Sequence, residues 1–261
     1  MDGCRNSNYY QIKSITKLMK NLIAAIQFIT ILPMGKHGKF HPEKMIPFFP
    51  AVGIILGLMV AALDRIVFQL WSQPAASLLD VLFLIIITGA FHLDGLGDTA
   101  DGLYGRQTKE KALSIMKDSR IGVMGMVAIF CGLSVKWAGI AGIDQYRSLL
   151  LVIVPAYARG SILFGLRFLE YGRKDGGTGQ RFFETKLKII DFYWLIAPVL
   201  LSIILGFKAI LLNLVFLVII CGILLFYKKK INCITGDMLG AMVEMTEAGL
   251  FLFVSIPLIY V

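Results

Sequence analysis

Charged residues are scarce in this sequence: aspartate, glutamate, lysine and arginine make up 16% of the 261 residues, and hydrophobic residues make up 57%. Soluble globular domains carry about 25% charged and about 45–50% apolar residues. The mean hydropathy of +0.75 points the same way. This composition excludes an ordinary soluble domain and predicts an all-α, polytopic membrane helix bundle.

Cysteine is also rare, and the four cysteines form no C-x-x-C pair. Cys131 and Cys221 lie inside apolar segments, so neither a disulfide framework nor a zinc site is supported. The sequence has no compact basic and aromatic module, which argues against a nucleic-acid partner. The excess of bases, a net charge of +9, instead fits the positively charged cytoplasmic loops of membrane proteins.

Seven apolar segments are candidate transmembrane helices, at roughly 48–70, 76–91, 121–142, 148–168, 190–206, 209–227 and 241–261. Residues 21–34 are apolar but fall short of the ~20 residues that span a bilayer. They predict a short N-terminal helix that is interfacial or re-entrant. No soluble domain or defensible repeat interrupts the segments, so residues 1–261 are interpreted as one membrane domain.

Lysine and arginine are concentrated before the first segment and in the loops after the second, fourth and sixth. The alternate loops hold few of them, namely Arg65, Arg147 and Lys208. Because basic loops stay in the cytoplasm, the N-terminus is predicted inside and the C-terminus outside. The acid-rich stretches described next then all lie on the cytoplasmic face.

Three of the 17 acids fall within eight residues, at Asp94, Asp98 and Asp101, directly after an apolar run. At ~100° per residue they lie within a ~60° arc of a helix. Three like charges on one face repel unless a cation lies among them, and oxygen ligands suit Mg²⁺, Mn²⁺ or Ca²⁺. The interspersed glycines allow a phosphate or another backbone to approach. The alternative is a polar, glycine-rich loop between two helices.

Two basic residues inside apolar segments need separate interpretation. Arg159, near the middle of the fourth segment, is costly in lipid and must face the bundle interior. It either pairs with a buried carboxylate or holds an anionic group, and we favour the second. Lys136, in the third segment, can reach the outer surface with its long side chain and is less informative.

Further acids stand at two other segment ends. Asp118 and Arg120 precede the third segment, where arginine can clamp phosphate oxygens or simply form an interfacial ion pair. Asp237 and Glu244 are seven residues apart at the start of the last segment. Small residues between them leave room for an ion or for a closely packed helix. Carboxylates and arginines at one membrane face together suggest metal-assisted phosphoryl transfer.

The motifs resemble those of the cobalamin synthase family, which are adenosylcobinamide-GDP ribazoletransferases. The resemblance rests on five matches, in chain order: FITILP at 28–33, HLDGLGDTADGL at 92–103, DSRIG at 118–122, Arg159-Gly160, and TGDMLGA at 235–241 followed by Glu244 and Glu247. They span nearly the whole chain. Two departures are Gly97, where the family usually has alanine, and the residues before Thr235, where many members have glycines.

The resemblance implies a reaction. A ribose hydroxyl of α-ribazole, or of its 5′-phosphate, attacks the cobinamide-linked phosphorus of adenosylcobinamide-GDP and releases GMP. It also implies Mg²⁺, with Mn²⁺ as the substitute, a prokaryotic cytoplasmic (inner) membrane, and small-molecule substrates. The glycine-rich helix faces permit a homo-oligomer.

The resemblance identifies the site residues by their positions in the matching motifs, and we assign their roles as a hypothesis. Asp94, Asp98 and Asp101 hold the metal and form the catalytic core, and His92 is a candidate base or phosphate donor, with a capped loop histidine as the alternative. Arg120 and Arg159 neutralise substrate phosphates. The remaining metal-ligand candidates are Asp118, Asp237 and Glu244.

Two other functions remain open on the sequence. A CDP-alcohol phospholipid phosphotransferase would also use aspartates, but its D-G-x2-A-R pattern is not matched after Asp94-Gly95. A cation-coupled transporter would place acids near the bilayer midplane, often with repeat symmetry. The acids here stand at one end of the segments and no repeat is evident.

Overall fold

The structure is a computed structural model that describes residues 2–35, 41–173 and 179–257, with side chains from residue 16 onward. The regular secondary structure of the described residues is helical, apart from one isolated bridge between Tyr171 and Ile234; loops and turns join the helices. The helices are α1 (Asp2–Ile29), α2 (Pro42–Met45), α3 (Phe49–Leu70), α4 (Gln73–Ile87), α5 (Phe91–Leu103), α6 (Lys109–Ile115), α7 (Val123–Ala141), α8 (Arg147–Phe168), α9 (Ile196–Ser202), α10 (Phe207–Lys230) and α11 (Gly236–Val254). Short 3₁₀ turns lie at Ile46–Phe48, Gln180–Phe183, Ile189–Leu195 and Ile203–Leu205.

Four helices of the described chain are long and apolar enough to cross a membrane: Pro42–Leu70, α7, α8 and α10. The pair α4 and α5 forms a fifth if it is counted as one bent span, and Ile189–Leu205 is shorter. The prediction of a polytopic helical membrane protein is therefore confirmed. Length and composition support four to five spans rather than the full seven.

The centre of the bundle is α8, whose apolar stretch is almost entirely buried. α3 packs along it closely, since a methyl group added at Gly53 or Gly57 would lie 2.5 Å from the backbone of Ala156 or Val152. Small residues at such a crossing let two helix backbones touch, which is a common basis of helix association in membranes. α11 packs against α5, α7, α8 and α10, so it lies between the central helix α8 and α5, which carries the aspartate stretch.

The chain turns sharply between α4 and α5, which meet at 89°. Two consecutive residues adopt left-handed backbone angles there, Gly89 with φ 59° and Ala90 with φ 58°. Glycine takes this conformation freely, whereas alanine pays a steric cost. The turn directs α5 away from α4 and onto α11 and α7. The aspartate stretch was predicted to follow directly after an apolar segment, and the bend between the two was not foreseen.

The N-terminal helix differs from its prediction. α1 runs for 28 residues from Asp2 to Ile29, about twice the length of the apolar stretch that predicted it. Charged residues lowered the hydropathy of its first half, but a helix outside the hydrocarbon core does not need to be apolar. The chain leaves the helix at Thr30, whose hydroxyl donates to the carbonyl of Ile26 at 2.7 Å.

A buried ion cluster ties three helices together at the start of α8. Arg147 donates to Asp64 of α3 at 2.8 Å and to Asp80 of α4 at 3.0 Å. The same guanidinium contacts Ser77 and the carbonyl oxygen of Ile140. Arg147 was predicted to lie in an outer loop, and its pairing with two buried acids was not foreseen. It lies at the opposite end of α4 from the bend that leads into α5.

Candidate active site

Two helices bring three of the predicted acids together. α5 carries Asp94 and Asp98 one turn apart, and α11 has Asp237 in its first turn. Thr235 caps α11 by accepting the N–H of Met238 at 3.3 Å, and both the cap and the early acid suit a helix start. Asp98 lies within electrostatic range of Asp94 and Asp237. We call these three carboxylates the acid group.

Glycines in both motifs allow the helices that carry the acid group to touch. A methyl group at Gly95 would lie 2.5 Å from the carbonyl oxygen of Asp237, and one at Gly240 would lie 3.3 Å from the Cα of His92. The sequence left open whether the glycines admit a phosphate or another backbone. At these two positions the neighbour is backbone, and the contact fixes Asp237 opposite the acids of α5.

Arg173 joins the acid group from the loop that follows α8. The loop is held to the chain just before α11, where the N–H of Gly172 donates to the carbonyl of Ile234 at 2.9 Å. This places the guanidinium of Arg173 2.5 Å from the Asp237 carboxylate. In the sequence, Arg173 is one of several basic residues in the loop after the fourth apolar segment, and nothing else there marks it as a site residue.

A cavity of ≈ 110 Å³ opens beside the acid group. Its polar lining includes Asp94, Asp237, Arg173 and Tyr171. Burial raises the pKa of the Tyr171 phenol, so this side chain is a protonated hydrogen-bond donor near neutral pH. The rest of the lining is largely apolar and aromatic.

His92 is a buried residue that lines the same cavity. It is 1% exposed, and neither ring nitrogen has a hydrogen-bond partner among the described residues. It is the second residue of α5 rather than part of a loop. The capped loop histidine considered as its alternative role is therefore not what the structure describes.

Asp101 has a different role from the acid group. Its carboxylate accepts the backbone N–H of Gly122 at 2.6 Å and of Gly125 at 2.8 Å. These groups belong to the start of α7, where unpaired N–H groups and the helix dipole favour a negative charge. Asp101 was predicted as a metal ligand, but here it joins α5 to the N-terminus of α7.

Asp118 and Arg120 form an ion pair in the exposed loop before α7, with 2.6 Å between Nη2 and Oδ2. Hydrogen bonds from Arg120 lower the pKa of the Asp118 carboxyl to about 2. The Arg120 side chain is 86% exposed. The structure thus places both residues outside the cavity lining, although they were predicted as a metal ligand and a phosphate-binding residue.

Arg159 and Glu244 belong to a buried ion network deeper in the bundle. Arg159 pairs with Glu247, and Lys136 contacts Glu244 at 2.6 Å and Glu247 at 2.7 Å. The network holds two cations and two anions, all with side chains under a tenth exposed. Arg159 faces the interior and has a partner, as predicted, but that partner is a carboxylate rather than a substrate. The interpretation of Lys136 as reaching the outer surface was wrong.

Helix geometry explains why the predicted ligands divide into separate groups. Asp237 and Glu244 are seven residues apart on α11, a rise of ~10.5 Å. Oxygens that share one Mg²⁺ lie within ~4.2 Å of each other. In the part of the chain that the structure describes, no group of three or more His, Cys, Asp or Glu side chains converges tightly enough to hold a metal alone. The acid group still carries the oxygen donors and excess negative charge that attract a hard cation.

The chain matches the family model described as cobalamin-5-phosphate synthase over residues 21–255. It is 35% identical over 245 residues to the adenosylcobinamide-GDP ribazoletransferase of Alkaliphilus metalliredigens (strain QYMF), covering 90% of this chain and 95% of that protein. Proteins of the same name from Clostridium novyi (strain NT) and Clostridioides difficile (strain 630) are 35% and 33% identical, each over 88% of this chain and 94% of the relative.

No solved structure matches the chain significantly. The family model nevertheless covers well over half of the sequence, and it spans both motifs that build the acid group. The chain therefore belongs to the cobalamin-5-phosphate synthase family.

Proposed function

We propose that this protein is an adenosylcobinamide-GDP ribazoletransferase that closes the nucleotide loop of cobalamin. A ribose hydroxyl of α-ribazole, or of its 5′-phosphate, forms a new bond to the cobinamide-linked phosphorus. The bond between that phosphorus and the bridging oxygen breaks, and GMP leaves. The observation that carries the proposal is the convergence of two family motifs, HLDGLGD and TGD, on one cavity.

The acid group fits a magnesium ion. Its donors are all carboxylate oxygens, contributed by Asp94, Asp98 and Asp237, and Arg173 is the only cation in contact with them among the described residues. Mg²⁺ commonly uses one or two carboxylates together with substrate phosphates and water, so a preformed cage of protein ligands is not required. Bound there, Mg²⁺ or Mn²⁺ would neutralise phosphate charge and acidify the attacking hydroxyl.

Individual side chains can then be assigned to steps of the transfer. Asp94 is exposed to the cavity, and we assign its carboxylate oxygen as the acceptor of the proton from the attacking hydroxyl. Arg173 lies beside Asp237 and offers further N–H groups to phosphate oxygens. Its Nε is buried and has no partner within the described structure. The Tyr171 hydroxyl is a further donor at the cavity wall.

The test is a turnover assay with purified protein in detergent or nanodiscs. With Mg²⁺, adenosylcobinamide-GDP and α-ribazole or its 5′-phosphate, we expect stoichiometric release of GMP and formation of the cobalamin product. Absence of GMP release with either acceptor would contradict the proposal. Transfer from a CDP-alcohol to a lipid alcohol, or ion-driven uptake into proteoliposomes that survives Asp98→Asn, would support the two other functions.

The proposal includes a topology of seven crossings within one domain, residues 1–261. The four long helices, the bent pair α4–α5, the segment Ile189–Leu205 and α11 supply the seven. The N-terminus and the acid group lie on the cytoplasmic side, the C-terminus outside, as the distribution of basic loops favours. Cytoplasmic reporters fused after residue 145 should stay inactive and those fused after residue 232 should be active; the reverse pattern would contradict this orientation.

A further inference from the structure

The inner end of the cavity is aromatic and aliphatic. We use the name inner end for the largely buried apolar residues of its lining, from α1, α3, α8 and the turn Gln180–Phe183: Phe28, Phe49, Ile162, Leu166 and Phe182. The rings of Phe28 and Phe182 lie 4.9 Å apart, and those of Phe28 and Phe49 lie 6.1 Å apart with nearly parallel planes. Such walls favour a flat apolar group that stacks or packs edge-on. The proposed phosphoryl chemistry alone does not require them.

Among the described residues that line the cavity, two have buried polar side-chain atoms without a hydrogen-bond partner: Arg173 at Nε, beside Asp237, and His92 at both ring nitrogens. Arg173 lies beside the acid group, which leaves His92 as the polar side chain next to the apolar residues. A neutral imidazole carries one N–H donor and one acceptor nitrogen. A buried donor without a partner is costly, and a ligand atom that accepts its hydrogen bond removes that cost. The inner end therefore offers a flat apolar slot with one hydrogen-bonding position.

We propose that the inner end of the cavity binds the base of the ribazole, and that the His92 N–H donates to the free ring nitrogen of that base. The inference rests on the proposed function and adds a base-binding subsite to it. The base of a benzimidazole riboside has two fused, flat aromatic rings, and its one hydrogen-bonding atom is the unsubstituted ring nitrogen. The one hydrogen-bond acceptor of the base thus matches the one N–H donor that His92 provides.

The other substrate fits the slot poorly. Guanine, carried by the leaving GMP, has several donors and acceptors on its edges, and most of them would be left unpaired against phenylalanine and isoleucine. The corrin portion is far too large for a cavity of ≈ 110 Å³. An adenine riboside would bind less well for the same reason, because its amino group and extra ring nitrogens would have no hydrogen-bond partners in the apolar lining.

Binding the base at the inner end also orients the sugar. His92 and Asp94 are two residues apart on α5, the first buried and the second exposed at the cavity. A base that contacts His92 leaves its ribose toward Asp94, Asp237 and Arg173. The slot thereby presents a ribose hydroxyl to the groups that handle the phosphate, so base recognition and catalysis become coupled.

The experiment compares three α-ribosides as acceptors, carrying benzimidazole, adenine or indole. Indole has the shape of benzimidazole but lacks the acceptor nitrogen. For the unaltered protein we expect kcat/KM to favour benzimidazole over each of the others by about tenfold or more. In His92→Leu the preference over indole should fall to near unity, whereas His92→Gln, which keeps a donor, should restore part of it.

Pocket size is tested with the lining residue Ile162. The ratio measured is kcat/KM for the benzimidazole riboside over kcat/KM for an imidazole riboside, which is added as a single-ring acceptor. Ile162→Phe should lower this ratio and Ile162→Ala should reduce the discrimination between bases of different size, each by about tenfold. Leu163→Ala is the matched control, because Leu163 is the next residue of α8, is fully buried and does not line the cavity. Each selectivity is a ratio within one variant, so a smaller folded fraction does not alter it.

Two results would overturn the subsite. One is unchanged base selectivity in His92→Leu and in both Ile162 variants while the unaltered protein releases GMP. The other is an equal loss of kcat for all three ribosides with loss of one limb of the pH profile, which would make His92 a proton acceptor. If the unaltered protein releases no GMP at all, the proposed function fails instead. Equilibrium dialysis of the benzimidazole riboside against these variants, without the second substrate, then still tests the slot.

Discussion

Replacing Asp98 with alanine is expected to lower the rate of GMP release by about a hundredfold or more, with no loss of folded, membrane-inserted protein. Asp98 lies among other carboxylates, with Asp94, Asp237 and Asp101 all within electrostatic range. Its removal deletes a proposed metal ligand and relieves like-charge repulsion at the same time. Activity should therefore fall while the free energy of unfolding holds or rises, a trade-off found where a site stores electrostatic strain.

The measurement is kcat at saturating Mg²⁺, paired with thermal unfolding of the purified protein in the same detergent. Asp144→Ala is the matched control, because Asp144 is an exposed acid in the loop between α7 and α8. Its rate and unfolding temperature should both stay at the unaltered level. Near-normal turnover of the Asp98 variant at saturating Mg²⁺ would remove Asp98 from the ligand set.

Replacing Lys136 with methionine is expected to have the largest effect on stability. The Lys136 ammonium contacts both Glu244 and Glu247, so its loss leaves two buried acids that share Arg159 as their one cationic partner among the described residues. Breaking a buried ion pair by removing one member costs about 3–5 kcal/mol. The variant should yield little folded protein, measured by size-exclusion chromatography in detergent and by thermal unfolding.

A second substitution should restore much of that loss. In the Lys136→Met, Glu244→Gln double variant, Arg159 and Glu247 remain as a pair of opposite charges, so this network carries no net charge. We expect most of the folded yield to return, since replacing both members of a buried pair is often close to neutral. Lys229→Met, at the exposed end of α10, serves as the charge-matched control. A double variant as unstable as the single one would show that charge balance is not what holds these helices.

Most helix positions could be predicted from the sequence, because membrane-length apolar runs dictate them. The segment predicted at 148–168 is observed at Arg147–Phe168, and the one at 121–142 is observed at Val123–Ala141. The bend before α5 was missed because it depends on two left-handed residues, of which Ala90 gives no local signal. The length of α1 was missed because hydropathy detects contact with lipid rather than helix.

The site was only partly predictable. Helical spacing correctly placed Asp94 and Asp98 on one helix face, and their meeting with Asp237 was expected because both stretches were predicted at the same membrane face. Spacing does not reveal which partner a side chain meets, so Asp101 and Glu244 were assigned to the metal although one caps α7 and the other binds Lys136. Arg173 could not be found at all, because its position depends on backbone pairing between residues some sixty positions apart.

The deep ion network has a consequence for how the protein is assembled. Its two cations are on α7 and α8, whereas both of its acids are on α11. During synthesis the membrane therefore receives Lys136 and Arg159 first, without their counter-charges, and unpaired charges are costly there. The charges of the network are balanced only after α11 is inserted. Glu244 and Glu247 of α11 can enter the membrane because Lys136 and Arg159 are already there to pair with them. α11, which is made after both cation-bearing helices, thus completes the charge balance and, through Asp237 in its first turn, the proposed active site.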